Sequence, residues 1–316
     1  MRRRFAFVML ALLAWVGGTM AGGPGATGTA AVAQTPGIII GKAHAGYTPS
    51  LTGNKPVVVL AIGSGARPGD DVLHSLSDSL HVIFINPATH KASMVGIPRD
   101  SWVNIPGHGS NKINAAMPYG GPPLLISTIE SSWGVHIDYY ALTTFWGIRK
   151  IVDSVGGLTI DVPFPMNDPY SHANFQPGVQ KLTGSQVLAF SRDRHSIASG
   201  DFGRSEDGGR VLMALLAQFR KQFSKDPTSL YTWVGAGLQN VTSINLSLDQ
   251  VMNLAWTCTH VSAAGVQNFV LPGGTGMQGS LSVVFVDTTR ARAIFADAQK
   301  DGVVSKKNAP PSPTPI

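Results

Sequence analysis

Leu80-His81-Val82-Ile83-Phe84-Ile85-Asn86, then Pro87-Ala88-Thr89-His90, then Lys91-Ala92-Ser93-Met94-Val95-Gly96-Ile97: this stretch decides the fold. The outer runs are apolar and β-branched, and the four residues between them carry turn chemistry. Two strands joined by so short a turn make a hairpin, so the sheet is at least partly antiparallel. Upstream, Pro56-Val57-Val58-Val59-Leu60-Ala61-Ile62 is continuously apolar and runs into Gly63-Ser64-Gly65. That pattern predicts a buried strand followed by a glycine loop. Downstream, Pro98-Arg99-Asp100 breaks the third strand and leaves a charged pair where it ends.

The rest of the body mixes both periodicities. Residues 124–133 and 145–155 have helical spacing, the second stopping at Gly156-Gly157. Residues 135–142 and 158–162 alternate as strands, and 163–180 is expected to be an irregular loop. Residues 105–110 also read as a loop. Thr183 can cap a short helix, Arg204 is expected to open a long one, and Asp287 can cap a last one. Residues 227–238 and 248–260 are further helices, and 268–272 and 282–286 are strands. Helices and strands alternate without a regular repeat. The expected class is α/β, three layers α-β-α around a central mixed sheet.

Composition narrows the function. The 316 residues are 43% hydrophobic and 13% charged, with a net charge of +6. Three of the positive charges, Arg2, Arg3 and Arg4, precede the apolar run 5–16, a charged and apolar pair of regions typical of an export signal or membrane anchor. The body is then only mildly basic, which excludes a dedicated nucleic-acid binder. Ala31-Val32-Ala33 has the form of a cleavage site. Either fate puts the body on the extracytoplasmic side, N-terminally anchored or secreted if cut near Ala33. The expected organisation is a signal or anchor segment over 1–21, a flexible linker over 22–55, a folded domain over 56–302 and a disordered proline-rich tail over 303–316. Cys258 is the single cysteine, so no internal disulfide forms, and it reads as a buried inert thiol.

The chemistry concentrates in Arg192-Asp193-Arg194-His195-Ser196-Ile197-Ala198-Ser199-Gly200-Asp201-Phe202-Gly203-Arg204. In extended backbone, Arg192 and Arg194 would share one face. Arg204 at a helix start adds the anion preference of free backbone N–H groups. Guanidinium forks suit paired phosphate oxygens, so the stretch reads as a phosphate clamp, or else as surface arginines with an ion pair to Asp193 or Asp201. His195 is the only histidine within it. Arg67, Asp78, Arg99, Asp100 and Lys112 lie at other strand ends and loops, where function collects. Arginines with a few aspartates and Mg²⁺ are the parts of phosphoryl transfer. Motifs for serine hydrolysis, zinc proteolysis and nucleotide phosphate loops are absent from the sequence.

In this order, the motifs resemble those of the LytR-CpsA-Psr family of cell-wall assembly proteins. They are Ile97-Pro98-Arg99-Asp100-Ser101, Lys112-Ile113-Asn114-Ala115 with Tyr119-Gly120-Gly121, and Val155-Gly156-Gly157-Leu158. Leu188-Ala189-Phe190-Ser191-Arg192-Asp193-Arg194 and Gly200-Asp201-Phe202-Gly203-Arg204 follow. The resemblance implies a membrane-anchored phosphotransferase whose partners are a polyprenyl-pyrophosphate-linked glycopolymer and a peptidoglycan acceptor. It also implies an apolar lipid-binding tunnel and Mg²⁺. By matching position, Arg99, Arg192, Arg194 and Arg204 would bind pyrophosphate, with Asp201 orienting them. Asp78 would hold Mg²⁺, and Lys112, Asp100 and Arg67 would serve the substrate.

Three positions depart from the family pattern: Gly65 and Leu76, where an aspartate and an arginine are usual, and Gly208, where glutamine is favoured. The aspartate missing at Gly65 is normally a metal carboxylate; either Asp70 or Asp71 substitutes from the same loop, or phosphates and water hold the metal. The alternative is a catalytically weak or inactive relative that binds polyprenyl pyrophosphate. A third possibility, a transcription regulator, meets an export signal and no DNA-binding helix pair.

Overall fold

The computed structural model describes residues 38–51, 53–197, 200–229, 233, 241–244, 246–262 and 265–311. Its centre is a seven-stranded sheet. The order across it is Val241–Ile244, Ile38–Lys42, Tyr139–Thr144, Val57–Ser64, Ser77–Asn86, Lys91–Gly96 and Val266–Val270. The hairpin forms as its sequence requires: His81 pairs with Gly96 and Asn86 with Lys91, antiparallel throughout. Val57–Ser64 is antiparallel to Ser77–Asn86 but parallel to Tyr139–Thr144, so the sheet is mixed.

Both faces of the sheet are covered, as the continuous apolar run at 57–62 requires. Val58, Leu60 and Ile62 pack with Leu125, Ile129 and Phe295 on one side, beneath the helices Ala116–Trp133 and Thr288–Asp301. Val57 and Val59 face the other way, toward Leu246 and Val251. There the helices Asp201–Lys225 and Leu248–His260 complete the third layer, with Leu216 and Cys258 packed on Ile85 and Ala92. Side chains alternate because successive Cβ atoms in a strand point to opposite faces. The α-β-α expectation is met.

Local signals also hold. Thr183 accepts the Gln186 N–H while Gln186 reaches back to the Thr183 N–H, a complete capping box for the helix Gly184–Arg192. Asp287 accepts from the Arg290 N–H and opens Thr288–Asp301.

Four expectations need correction. Residues 38–55 are not all linker, because Ile38–Lys42 is an internal strand paired on both sides; residues 22–37 of that expected linker lie outside the described residues. The tail is not disordered from 303: Val304 is buried and Ala309 packs on the core. Within 105–110 only residues 106–108 form a turn; Ile105 and Gly109-Ser110 belong to the paired strands Trp102–Ile105 and Gly109–Lys112. Within 163–180, Met166–Asp168 pairs with Ala173–Phe175, and Gly178–Leu182 pairs with Leu158–Val162. The export segment, the cleavage motif, most of the 227–238 helix and the last five residues of the tail lie outside the described residues. Among the described residues, no helix is long and apolar enough to cross a membrane.

Candidate active site

A cavity of about 560 Å³ opens at the end of the sheet where Val57–Ser64 finishes. Its walls come from the sheet (Ala61, Ile62, Ala141), from the helix Phe145–Ser154 (Phe145, Ile148, Ile151) and from the helix Asp201–Lys225. That last helix joins two chemistries. Arg204 lies in its first turn, and Val211, Leu212 and Leu215 line the cavity further along. At 1.5 Å per residue, Arg204 and Leu215 are roughly 16 Å apart along the axis. One helix therefore carries the cavity wall from a charged end to an apolar one.

The charged end contains Asp78, Arg99, Arg192, Arg194, Asp201 and Arg204. Arg99 donates to Asp78, and Arg204 to Asp201, at close range. Burial opposes ionisation of Arg99, but Asp78, then Asp100 and Asp201, outweigh it and raise its pKa. Arg204 is deeper. Burial lowers its pKa, Asp201 opposes this, and the nearby Arg99 and Arg194 add to the lowering. Cations crowded this closely in a poorly solvated place are a site for a polyanion. Among the described residues, Arg192 and Arg194 have no carboxylate within salt-bridge distance; Arg192 lies over the Phe145 ring, 5.3 Å from its centroid.

The spacing argument for Arg192 and Arg194 fails although both line the cavity. Arg192 ends the helix Gly184–Arg192, and Arg194 follows in a turn. That turn is built by Asp193, which is fully buried and accepts from the N–H groups of His195 and Ser196, each at 3.1 Å. Asp193 is thus a turn-former rather than an arginine partner, and Asp201 is the residue that makes the ion pair.

Other expected site residues are placed elsewhere. Lys112 contacts Asp100 at 3.3 Å, and Asp100 approaches Arg99 Nε at 3.9 Å, so this pair stands behind Arg99 and does not line the cavity. Arg67 is exposed and is also outside the lining. Asp70 accepts from the Arg67 N–H, and Asp71 caps the next turn and contacts His74. Both aspartates shape an exposed loop, and neither lines the cavity.

Two histidines join the site. His195 Nδ1 lies 3.0 Å from Asp168 Oδ1. Asp168 is buried and also accepts from the N–H groups of Tyr170 and Arg194. Burial alone would raise the Asp168 pKa, but hydrogen bonds from His195 and these N–H groups hold it well below the usual carboxylate range. The Asp168 anion thus fixes the His195 tautomer, with Nδ1–H donating and Nε2 left to accept. His81 lines the cavity fully buried, its Nε2–H donating to the Ser205 carbonyl at 2.8 Å. Burial depresses its pKa to about 4, against the opposing bond to Ser205. A Cβ on Gly208 would come within 2.8 Å of the His81 ring, so this glycine leaves His81 its room. Sequence reasoning missed Asp168 and His81 as site residues; Asp168 fell in a stretch read as irregular loop.

Comparison with known proteins places the chain in a family. The LytR_cpsA_psr family matches residues 32–300. A Bacillus mycoides protein named polyisoprenyl-teichoic acid–peptidoglycan teichoic acid transferase TagU is 36% identical over 210 residues, 66% of this chain and 66% of that protein. The chain thus matches just under two thirds of that relative's length. Among solved structures, B. subtilis TagV aligns with a TM-score of 0.66 at 24% identity, over 79% of this chain and 99% of TagV. The LytR-CPS2A-psr family protein YwtF (TagT) with bound octaprenyl pyrophosphate lipid aligns with a TM-score of 0.61 at 21% identity, over 81% of this chain and 94% of that one. These two likenesses concern the fold.

Proposed function

This chain belongs to the LytR-CpsA-Psr family, and from that premise we propose that it moves a glycopolymer from a polyprenyl-pyrophosphate carrier onto peptidoglycan through a phosphodiester bond. The observation that carries the proposal is the helix Asp201–Lys225, which adds Arg204 to the guanidinium cluster at one end and supplies an apolar wall further along the same cavity. A glycopolymer-linked polyprenyl pyrophosphate has two matching halves, a dianionic head and a hydrocarbon tail. The transferase name of TagU and the octaprenyl pyrophosphate bound to YwtF support the same substrate class.

In this reading Arg99, Arg192, Arg194 and Arg204 hold the pyrophosphate and offset charge that grows in the transition state. A sugar hydroxyl of peptidoglycan attacks the phosphorus next to the glycopolymer. The new O–P bond forms, the bridging P–O bond breaks, and polyprenyl phosphate leaves. The hydroxyl proton goes to His195 Nε2, with Asp168 holding the ring. Asp201 orients Arg204, and Asp78 orients Arg99. Mg²⁺ fits this end of the cavity: Asp78 lines it, and Asp201 Oδ2 is buried without a hydrogen-bond partner among the described residues. These carboxylates would hold the ion together with substrate oxygens, and the bound ion would neutralise charge on the pyrophosphate. The apolar 5–16 segment would tether the body on the extracytoplasmic face of the membrane.

A specific observation favours a second reading, a lipid-pyrophosphate binder with weak or no turnover. Position 65 lacks a carboxylate, and Asp78 is engaged by Arg99. Mass spectrometry of the full chain purified from membranes tests the shared claim; co-purified polyprenyl phosphate or pyrophosphate is expected, and its absence after supplementation contradicts both readings. Release of polyprenyl phosphate from the pyrophosphate carrier separates the two.

A further inference from the structure

The end of the sheet away from the cavity carries a second group of ligating side chains. His44 follows the strand Ile38–Lys42, Glu130 lies in the last turn of Ala116–Trp133, and His136 precedes Tyr139–Thr144. Asp138, next to His136, accepts from the N–H of Val58 at the start of Val57–Ser64, whereas the cavity lies at that strand's other end. The two places are therefore separated by nearly the whole strand, roughly 20 Å at the usual rise.

Three chain segments converge on one oxygen. His44 Nε2 is 2.9 Å from Glu130 Oε1, and His136 Nδ1 is 3.4 Å from the same atom. One ligand atom from each of the three residues lies within 4.8 Å of the others. Glu130 is held by the Ile137 N–H at 2.8 Å. The far nitrogen of His136, Nε2, faces Asp138 Oδ1 at 3.8 Å, and Asp138 is 5% exposed. The rings of His44 and His136 stack, with Tyr47 edge-on to His136.

We propose that His44, Glu130 and His136 form a zinc site, with Asp138 as the outer carboxylate that orients His136. Two imidazole nitrogens and one carboxylate oxygen are a donor set suited to Zn²⁺ and unlike the all-oxygen surroundings Mg²⁺ takes. A buried carboxylate facing the free nitrogen of a ligating histidine is the usual outer arrangement of such sites. Water fills the fourth position. The ion replaces the two N–H contacts to Glu130, each ring proton passing to the ring's other nitrogen or to solvent. Its consequence is mechanical: it fastens the segment after the first strand to the helix and strand beside it, far from the cavity chemistry.

Titration of the chelator-treated full chain with ZnCl₂, using a competing chromogenic indicator and thermal unfolding, tests this. One equivalent is expected to bind at micromolar affinity or tighter and to raise Tm, while MgCl₂ at the same concentration does neither. His44→Gln and His136→Ala should each weaken Zn²⁺ binding at least tenfold, and Asp138→Asn roughly tenfold to a hundredfold. His44 is partly exposed, so its variant keeps the test valid if His136→Ala folds poorly. Absence of Zn²⁺ binding in the wild type, or unchanged binding in His44→Gln, overturns the site.

Discussion

Gly65 and the carboxylate of Asp78 compete for one volume: a Cβ on Gly65 would fall 2.5 Å from Asp78 Oδ2. In the family pattern that Cβ begins a second carboxylate. Here Asp78 uses the space while it pairs with Arg99. Gly65→Asp should therefore push Asp78 aside and set two carboxylates together. Without a divalent cation such a pair repels and one member resists ionisation. The expected result is a lower Tm in EDTA, recovered by Mg²⁺, and tighter Mg²⁺ binding by calorimetry than in the wild type. A variant whose Tm and Mg²⁺ binding match the wild type would show that the two positions do not form a metal site.

The four cavity arginines should separate into two classes, Arg99 and Arg204 with carboxylate partners and Arg192 and Arg194, among the described residues, without. Arg204→Ala leaves Asp201, which is 8% exposed, as an unpaired buried charge. Loss of one member of a buried pair costs on the order of 3–5 kcal/mol, so this variant should lose both stability and lipid-pyrophosphate binding. Arg192→Ala and Arg194→Ala strand no carboxylate. Their urea midpoints should stay near wild type while affinity falls about tenfold or more, the scale of one charge-assisted hydrogen bond. Equilibrium unfolding alongside binding of a fluorescent polyprenyl pyrophosphate checks the split.

His195→Gln should reduce kcat by about 10²-fold or more with little change in carrier binding, the usual scale for a lost general base. Imidazole added to His195→Gly should restore part of the rate. Asp168→Asn should also lower kcat and should cost stability, because Asp168 anchors the backbone of Tyr170 and Arg194. Steady-state kinetics with a soluble acceptor, with binding measured separately, reads both effects.

His81 makes a pH prediction. Its pKa is near 6.5 in the unfolded chain and about 4 in the fold, because burial disfavours the cation. Between those values the unfolded state binds more protons, so stability falls as pH drops. The loss between pH 7 and pH 4.5 should be about 2 kcal/mol. His81→Asn should lose less over the same range. Urea denaturation of both proteins at the two pH values measures the difference.

What the sequence revealed follows from the range of the interactions. The hairpin at 80–97 was legible because its pattern and its turn are local. So were the caps at Thr183 and Asp287. Ile38–Lys42 was not, since five residues among glycines and alanines carry little periodicity and their pairing partners are distant in sequence. Gly273–Gln278, mostly exposed and glycine-rich, pairs with Leu281–Val286 and gave no strand signal of its own. The arginines stand out in the sequence through their density, but they do not share an extended face: a helix end and an Asp193 turn bring Arg192 and Arg194 to the cavity. His81 and Asp168 stayed hidden because their meaning depends on Ser205 and His195, which only the fold brings near.

The central claim is that the guanidinium cluster and the apolar wall serve one transfer reaction. Its most direct test is the full chain in membrane vesicles with a labelled glycopolymer on polyprenyl pyrophosphate and with peptidoglycan as acceptor. Label should become covalently attached to peptidoglycan with release of polyprenyl phosphate, and Arg194→Ala should lose most of that transfer while remaining folded. Carrier bound tightly by the wild type, with no label transferred and no polyprenyl phosphate released, would contradict the account.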